Sequence, residues 1–299
     1  MLAGTNITSI IKWDGKQWAK VADGPDDGFV IAMAKSARFL YVGGRFSRIG
    51  GIPANNIAQW DGQRWLGLGE GISSEGGESG QVNALAARAG DLFAGGLFTR
   101  AGTAAANGIA CWDGRTWASL GNGVSKIGLK PSDGGIGVWS LLDHGTNLYV
   151  GGHFAQPGKH IVKWNGQSWE QLGAGPYDGV GTGLLQLFGW VTDFASIGAN
   201  IYNGGLFSHA GGIRTTNLAR WDGSAWHSMD SRLGGFDAIR TVTAVGTALY
   251  VGGEFTRIGN VEANRVARWD GRSRFPGLPQ IQTWCWKQRR ISMVHGGSV

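Results

Sequence analysis

Short apolar runs recur along the chain, each closed by a glycine-rich or polar turn. "LYVGGRF" from Leu40 is answered by "LFAGGLF" at Leu92, "LYVGGHF" at Leu148, "IYNGGLF" at Ile201 and "LYVGGEF" at Leu249. About ten residues before each of these lies a shorter apolar run: "VIAM" from Val30, "VNAL" from Val82, "VWSL" from Val138, "VTDF" from Val191 and "IRTV" from Ile239. After each comes a segment such as "NIAQW", then Asp-Gly or Asn-Gly, then a last short segment opened by Trp. Runs this short, alternating and bounded by turn residues, predict β-strands, four to a unit. Asp-Gly and Asn-Gly predict type I′ hairpins between strands three and four, because that turn needs positive φ at both central residues.

The units are copies of one template. Trp-Asp-Gly stands at Trp13, Trp60, Trp112, Trp221 and Trp269, and as Trp-Asn-Gly at Trp164, with spacings of 47 to 57 residues. A second Trp follows five residues later at Trp18, Trp65, Trp117, Trp169 and Trp226, whereas the last unit has Arg274 there. A period of this length excludes the short helical repeats and suits a four-stranded propeller blade. The turn carries both Trp of a unit onto paired strands, where apolar packing between neighbouring blades is their expected use. The paired glycines are expected to let backbones approach closely.

The chain ends are two halves of one unit. Residues 1–20 hold strands three and four with no strands one and two before them. At the other end, "TWCW" from Thr283 fits strand one and "MVHGGSV" from Met293 fits strand two. Together they predict an all-β, six-bladed propeller of four-stranded antiparallel blades. It forms a single domain over residues 1–299, its last blade built from about 281–299 plus 1–20. Closure of this kind removes open sheet edges.

Composition agrees with that class: 54 Gly and 15 Trp in 299 residues, with 7 Pro, describe a turn-dense aromatic β protein. No run of 18 apolar residues exists, so no transmembrane span is expected, and the N-terminus carries no signal-peptide pattern. Cys111 and Cys285 fall on strands of different blades, which argues for free thiols and leaves the compartment open, with an extracytoplasmic or cell-surface setting slightly favoured. The net charge of +6 is scattered rather than striped, which argues against nucleic acid as a partner.

The recurring Gly-Gly, the later Trp pair and the four-strand unit resemble the kelch-type propellers, including the central domain of the galactose oxidase family. The resemblance covers nearly the whole chain as architecture and implies a propeller fold. Family members bind proteins, bind glycans or carry oxidase chemistry. The copper site of the oxidases needs a Tyr–Cys crosslink, a second Tyr and two His. Here Tyr41, Tyr149, Tyr202 and Tyr250 are strand-two repeat residues and both Cys are strand residues, so that activity is not carried over.

Function is sought where units depart from their own template. The segments from the second Trp to the next strand one span 12, 17, 21, 22 and 13 residues, and the two longest flank the third full unit. On or beside them stand Asp133, Trp139, His153, Tyr177, Asp178, Trp190 and Asp193. These seven form the candidate ligand site. Asp193 is the sharpest departure, since its equivalents Ala32, Ala84, Ser140, Thr241 and Cys285 are small. Arg48, Arg100 and Arg257 share one template position and read as loop anchors. No cofactor is predicted. "DGPDDG" could offer Asp23, Asp26 and Asp27 to Ca²⁺, although a plain turn is the simpler reading.

Three functions fit: a non-catalytic module for carbohydrate or a protein partner, a glycan-active hydrolase or lyase using loop carboxylates, and a structural subunit of a larger assembly. No nucleophile elbow, HExxH or P-loop is present, so the balance leans away from an enzyme. Oligomeric state is left open.

Overall fold

The computed structural model describes residues 9–77, 80–125, 137–173, 178–182, 189–229, 231, 233 and 237–271. Asp133, Tyr177, Cys285 and the C-terminal half of the proposed sixth blade lie outside them. The described residues contain strands and a single 3₁₀ turn at Glu75–Gly77, and no helix long and apolar enough to cross a membrane.

Four sheets among the described residues have four antiparallel strands in simple meander order. The first runs Phe29–Lys35, Leu40–Arg45, Ile57–Trp60, Trp65–Gly67. The second runs Gln81–Arg88, Asp91–Leu97, Ile109–Trp112, Trp117–Ser119. The third runs Gly137–His144, Asn147–His153, Ile161–Trp164, Trp169–Glu170. The fourth runs Trp190–Ile197, Asn200–Leu206, Leu218–Trp221, Trp226–Ser228. A fifth sheet shows three strands, Ile239–Val245, Ala248–Gly253 and Val266–Trp269. An N-terminal pair, Ser9–Trp13 with Trp18–Asp23, precedes them all. The chain divides into two compact units, one running to Gly123 and the other from Val124. The first holds the N-terminal pair and sheets one and two. The second holds sheets three to five.

Steric fit explains the glycine pair. A Cβ added at Gly43 would stand 2.4 Å from Val82 Cγ1 on strand one of the next sheet. At Gly151 it would meet Val191 at 2.6 Å, and at Gly204 Ile239 at 2.4 Å. The second glycine faces its own sheet: a Cβ at Gly44, Gly96, Gly152, Gly205 or Gly253 would fall 1.9–2.3 Å from a carbonyl oxygen at or just before the start of strand one. Strand one is bulged at this level, with the register slipping between Val30 and Ala32, Val82 and Ala84, Val138 and Ser140, Val191 and Asp193, and Ile239 and Thr241. A bulge sets an extra residue into one strand and re-aims its side chain. Here that residue is Ile31, Asn83, Trp139, Thr192 or Arg240.

The two Trp of a unit are direct cross-strand partners, as in Trp60↔Trp65. Their ring centroids are 4.9–5.4 Å apart in all five pairs. The second Trp also ties sheet to sheet. Trp65 Nε1 donates to the Asp23 carbonyl at 2.9 Å, Trp117 Nε1 to that of Leu68 at 2.8 Å and Trp226 Nε1 to that of Leu172 at 2.7 Å.

The turn between these Trp corrects the type I′ expectation. Gly62 has φ +103, but Asp61 is outside the positive-φ region. Four residues, 61–64, separate the paired Trp, and Asp61 Oδ1 accepts the backbone N–H of Gln63 and Arg64, both at 2.8 Å. Asp14, Asp113, Asn165 and Asp222 repeat the arrangement. Asp is therefore selected for its side-chain acceptor, an Asx turn, rather than for tolerance of positive φ. These backbone bonds hold the Asp14, Asp61 and Asp113 carboxyls below the ordinary carboxylate range.

Between strands two and three sits a small hairpin, such as Arg48–Ile49 with Ile52–Pro53. Arg48 Nη2 donates to the Gly51 carbonyl, and Arg100 Nη2 to that of Thr103 at 3.0 Å, so these arginines close their own hairpins. The segment after strand four then adds to the next hairpin: Ile72–Ser73 pairs with Arg100–Ala101, and Val180–Gly181 with His209–Ala210. These two stretches of the inter-sheet segments are thus structural.

Candidate functional site

In the second unit four rings meet where other repeats carry unlike residues. Trp139 is the bulge residue of the third sheet. His153 ends strand two of that sheet, where other repeats have Arg45, Leu97, Leu206 and Glu254. Trp190 opens strand one of the fourth sheet, where Phe29 and Gln81 stand elsewhere. Ring centroids are 5.7 Å apart for Trp139–Trp190, 6.3 Å for Trp139–His153 and 6.4 Å for His153–Trp190. All three side chains are half-buried. The expectation that gathered Trp139, His153 and Trp190 from separate strands therefore meets a set of side chains in mutual contact.

A fourth ring was not anticipated. His160 is buried and lies parallel to His153, with centroids 5.8 Å apart and planes 16° apart. It precedes strand three at φ +62, the position held by Asn56 (φ +67) and Asn217 (φ +62). Those asparagines do structural work. Asn56 Oδ1 accepts the Phe46 N–H at 3.0 Å and its amide donates to the Ile72 carbonyl at 2.7 Å. Asn217 makes the same pair of bonds to Phe207 and Asp237. The signal for His160 was available as a template departure one residue ahead of strand three.

Two buried polar groups among the described residues of the fourth sheet lack hydrogen-bond partners. One is the indole N–H of Trp190. The other is the amide of Asn203, fully buried with neither its donor nor its acceptor used. Asn203 stands where other repeats place Val42, Ala94, Val150 and Val251, paired across strands with Phe194 and Ala219. Leaving such groups unpaired costs about 1–3 kcal/mol each.

Asp193 joins three sheets. Its Oδ2 accepts from Thr241 Oγ1 at 2.7 Å and Val242 N–H at 3.0 Å. Its Oδ1 accepts from Phe194 N–H at 2.9 Å and Ser140 Oγ at 3.4 Å. Ser140 and Thr241 are its template equivalents on the two neighbouring strand ones. Part of the residue's surface is exposed, yet its carboxyl is desolvated. Burial pushes its pKa up, against the four hydrogen bonds, which pull it down. Both oxygens are engaged with protein donors.

Asp178 is buried and held by the Lys159 backbone N–H at 3.3 Å and the Lys159 ammonium at 3.9 Å. In the first unit Asn55 and Asn107 tie the same two segments by bonds to the carbonyls of Glu70 and Asn122. In the N-terminal cluster, Asp27 accepts from Ser47 and Arg48, Asp26 from the Gly51 N–H, and Asp23 pairs with Lys20. No group of three or more His, Cys, Asp or Glu among the described residues is arranged to hold a metal ion. Cys111 is half-buried with a free thiol, and burial pushes its pKa up to about 12, the state of an unreactive thiol.

No family model matches the chain, and no curated protein matches it. Solved structures do. The extracellular domain of BT4673 from B. thetaiotaomicron aligns in two structures, named for a one-component and for a hybrid two-component system. The first aligns with a TM-score of 0.58 at 12% identity over 93% of this chain and 32% of that one. The second gives 0.57 at 11% over 92% and 31%. YCF48 bound to D1 peptide aligns at 0.50 and 11% over 91% and 74%. At these identities the likeness concerns fold alone.

The chain is a propeller-like β protein.

Its four-stranded antiparallel sheets are the blades. The chain spans about a third of the length of the BT4673 domain.

Proposed function

We propose that this protein is a non-catalytic binding propeller whose third and fourth blades hold a carbohydrate site. The observation that carries the reading is the contact of Trp139, His153, His160 and Trp190, all at positions where the other repeats have different residues. Indole faces stack on the C–H faces of sugar rings, while imidazoles and the indole N–H supply hydrogen bonds. A few convergent polar groups on an apolar wall are the usual form of a small-molecule site. Tyr177 and Asp133, on the two long inter-blade segments, lie outside the described residues. Asp193 and Asp178 act as positioning residues that fix the strands and loops around it. The tethered carboxylates weigh against the hydrolase or lyase alternative.

The same reading takes the propeller as six-bladed and kelch-like, with the last blade shared between the chain ends. Ile11, Trp13 and Trp18 are exposed on the N-terminal pair, whereas Trp65, the equivalent of Trp18, is buried between sheets. An extracytoplasmic setting is adopted by analogy with the BT4673 domain. A peptide ligand is the second reading, favoured by the YCF48 neighbour having been solved with a bound peptide. A glycan array probed with the parent and with Trp139→Ala/Trp190→Ala tests the proposal. Binding by the parent that the double variant loses, at an unchanged melting temperature, supports it. Binding that survives the double substitution overturns it.

A further inference from the structure

We propose that the Arg240–Glu254 ion pair is a second sugar subsite beside the ring cluster, so that the ligand is a neutral oligosaccharide rather than a single sugar. The inference rests on the carbohydrate reading above and names the ligand class within it.

Two template positions carry the argument. One is the bulge residue of strand one, and the other is the residue that follows the glycine pair of strand two. In the third sheet these are Trp139 and His153, whose ring centroids are 6.3 Å apart. In the fifth sheet they are Arg240 and Glu254, with Arg240 Nε and Nη2 donating to Glu254 Oε1 at 3.3 and 3.0 Å. Side chains at the two positions thus meet each other in both sheets, at the same end of the template. The fourth sheet stands between them in the chain and has Thr192 and Leu206 there. Its strand one opens with Trp190, whose ring centroid is 5.7 Å from that of Trp139. Two residues on, Thr192 Oγ1 donates at 2.6 Å to the carbonyl of Ile239, the residue before Arg240. One row of ring contacts, strand and hydrogen bonds therefore runs from Trp139 through Trp190 and Thr192 to Arg240 and Glu254. The step from Trp190 to Thr192 is about 7 Å along the strand, so reaching the ion pair from the indoles takes a further sugar unit.

The ion pair has the chemistry for that unit. Among the described residues Glu254 Oε1 takes both arginine bonds, leaving Oε2 and Arg240 Nη1 for a ligand. Sugar hydroxyls donate as well as accept. One of two adjacent hydroxyls gives its proton to Glu254, while its neighbour accepts from Arg240. The pair carries no net charge, and Glu254 repels a carboxylate or sulfate placed against it. Folding does not require the pair. Both side chains are well exposed, at 47% and 59%, and an exposed ion pair adds little to stability. The second and fourth blades build with Asn83 and Leu97, and with Thr192 and Leu206, at the same positions.

The test titrates the full chain with single units, methyl β-glucoside and methyl β-galactoside, and with neutral oligomers, cellotetraose and the corresponding galactan tetramer. Arg240→Thr and Glu254→Leu install residues that the fourth blade uses at these positions, so both variants are expected to fold and to melt like the parent. The expected result is about tenfold tighter binding of one tetramer than of its single unit. Each variant should cost that tetramer roughly fivefold and leave the single unit's affinity unchanged. Trp139→Ala/Trp190→Ala should lose both ligands. Equal affinity for single unit and tetramer, a tetramer affinity that neither variant lowers, or equal losses for both ligands overturns the second subsite while leaving the ring site in place. Absence of binding by all four sugars removes both readings.

Discussion

Ahead of strand three, the first blade has Asn56 and the third has His160, at φ +67 and +62. Asn56 uses its whole amide to fasten its blade to the next segment, through Phe46 and Ile72. His160 instead lies against His153. In the third and fourth blades the departures gather: Trp139, His153, His160, Trp190, Asp193 and Asn203 all fall there. In the proposed reading the departures whose rings touch, Trp139, His153, His160 and Trp190, carry the site, while Asp193 ties neighbouring strands together.

The largest expected effect concerns the ends. Trp13 and Trp18 are 48% and 64% exposed, against 6% for Trp65. If the C-terminal segment covers them, deleting Gln282–Val299 will abolish cooperative unfolding or cause aggregation, because it leaves strand edges open. A deletion variant whose melting curve matches the parent's would remove the shared-blade assignment.

Next is the scaffold arm. Trp65→Ala removes a buried ring and its bond to Asp23, and should cost about 3–5 kcal/mol in chemical denaturation. A loss under about 1 kcal/mol would mean that the repeated Trp pair does not hold the blades together.

Asn203→Val moves the other way. Val is the residue of three other repeats at this position, and the change deletes two unsatisfied buried groups. Stabilisation of about 1–3 kcal/mol is expected. Destabilisation would show that the amide has a partner, such as an internal water.

The smallest effect is one of pH. Folding raises the Asp193 pKa through burial, so the folded state binds its proton more tightly than the unfolded chain. The Asp193 contribution to stability is therefore full below the ordinary Asp pKa of about 3.9 and is lost as pH rises through the raised value. Asp193→Asn should flatten that part of the profile. The difference in melting temperature between parent and variant should change with pH above about 4 and level off once the carboxylate is ionised. A constant difference from pH 3 to pH 8 would place the folded pKa at its ordinary value.

Much of this architecture was legible in the chain. The strand-one runs from Val30, Val82, Val138, Val191 and Ile239 all fall within observed strands, and the Trp pairs and Gly-Gly steps have packing roles. Those features are local or strictly periodic, and periodicity survives in one dimension. Partners across repeats were not legible. That Asp193 bonds Ser140 and Thr241, 53 and 48 residues away, depends on how neighbouring strands register. That Trp139 contacts Trp190 depends on a bulge. The Asp-Gly turn was misread because a type I′ turn and an Asx turn share their favoured residues, and only backbone angles separate them. His160 was not legible because a single-residue change on the short step before strand three alters neither the length nor the spacing of its unit.

The central claim is that the ring cluster serves binding and not folding, and one paired measurement tests it most directly. The triple variant Trp139→Ile/His153→Leu/His160→Asn, made from residues the other repeats use, is compared with the parent by thermal melting and on a glycan array. The account predicts a melting temperature within a few degrees of the parent's and complete loss of the glycan signal. A melting temperature lowered as far as that of Trp65→Ala, or a glycan signal that survives, would contradict it.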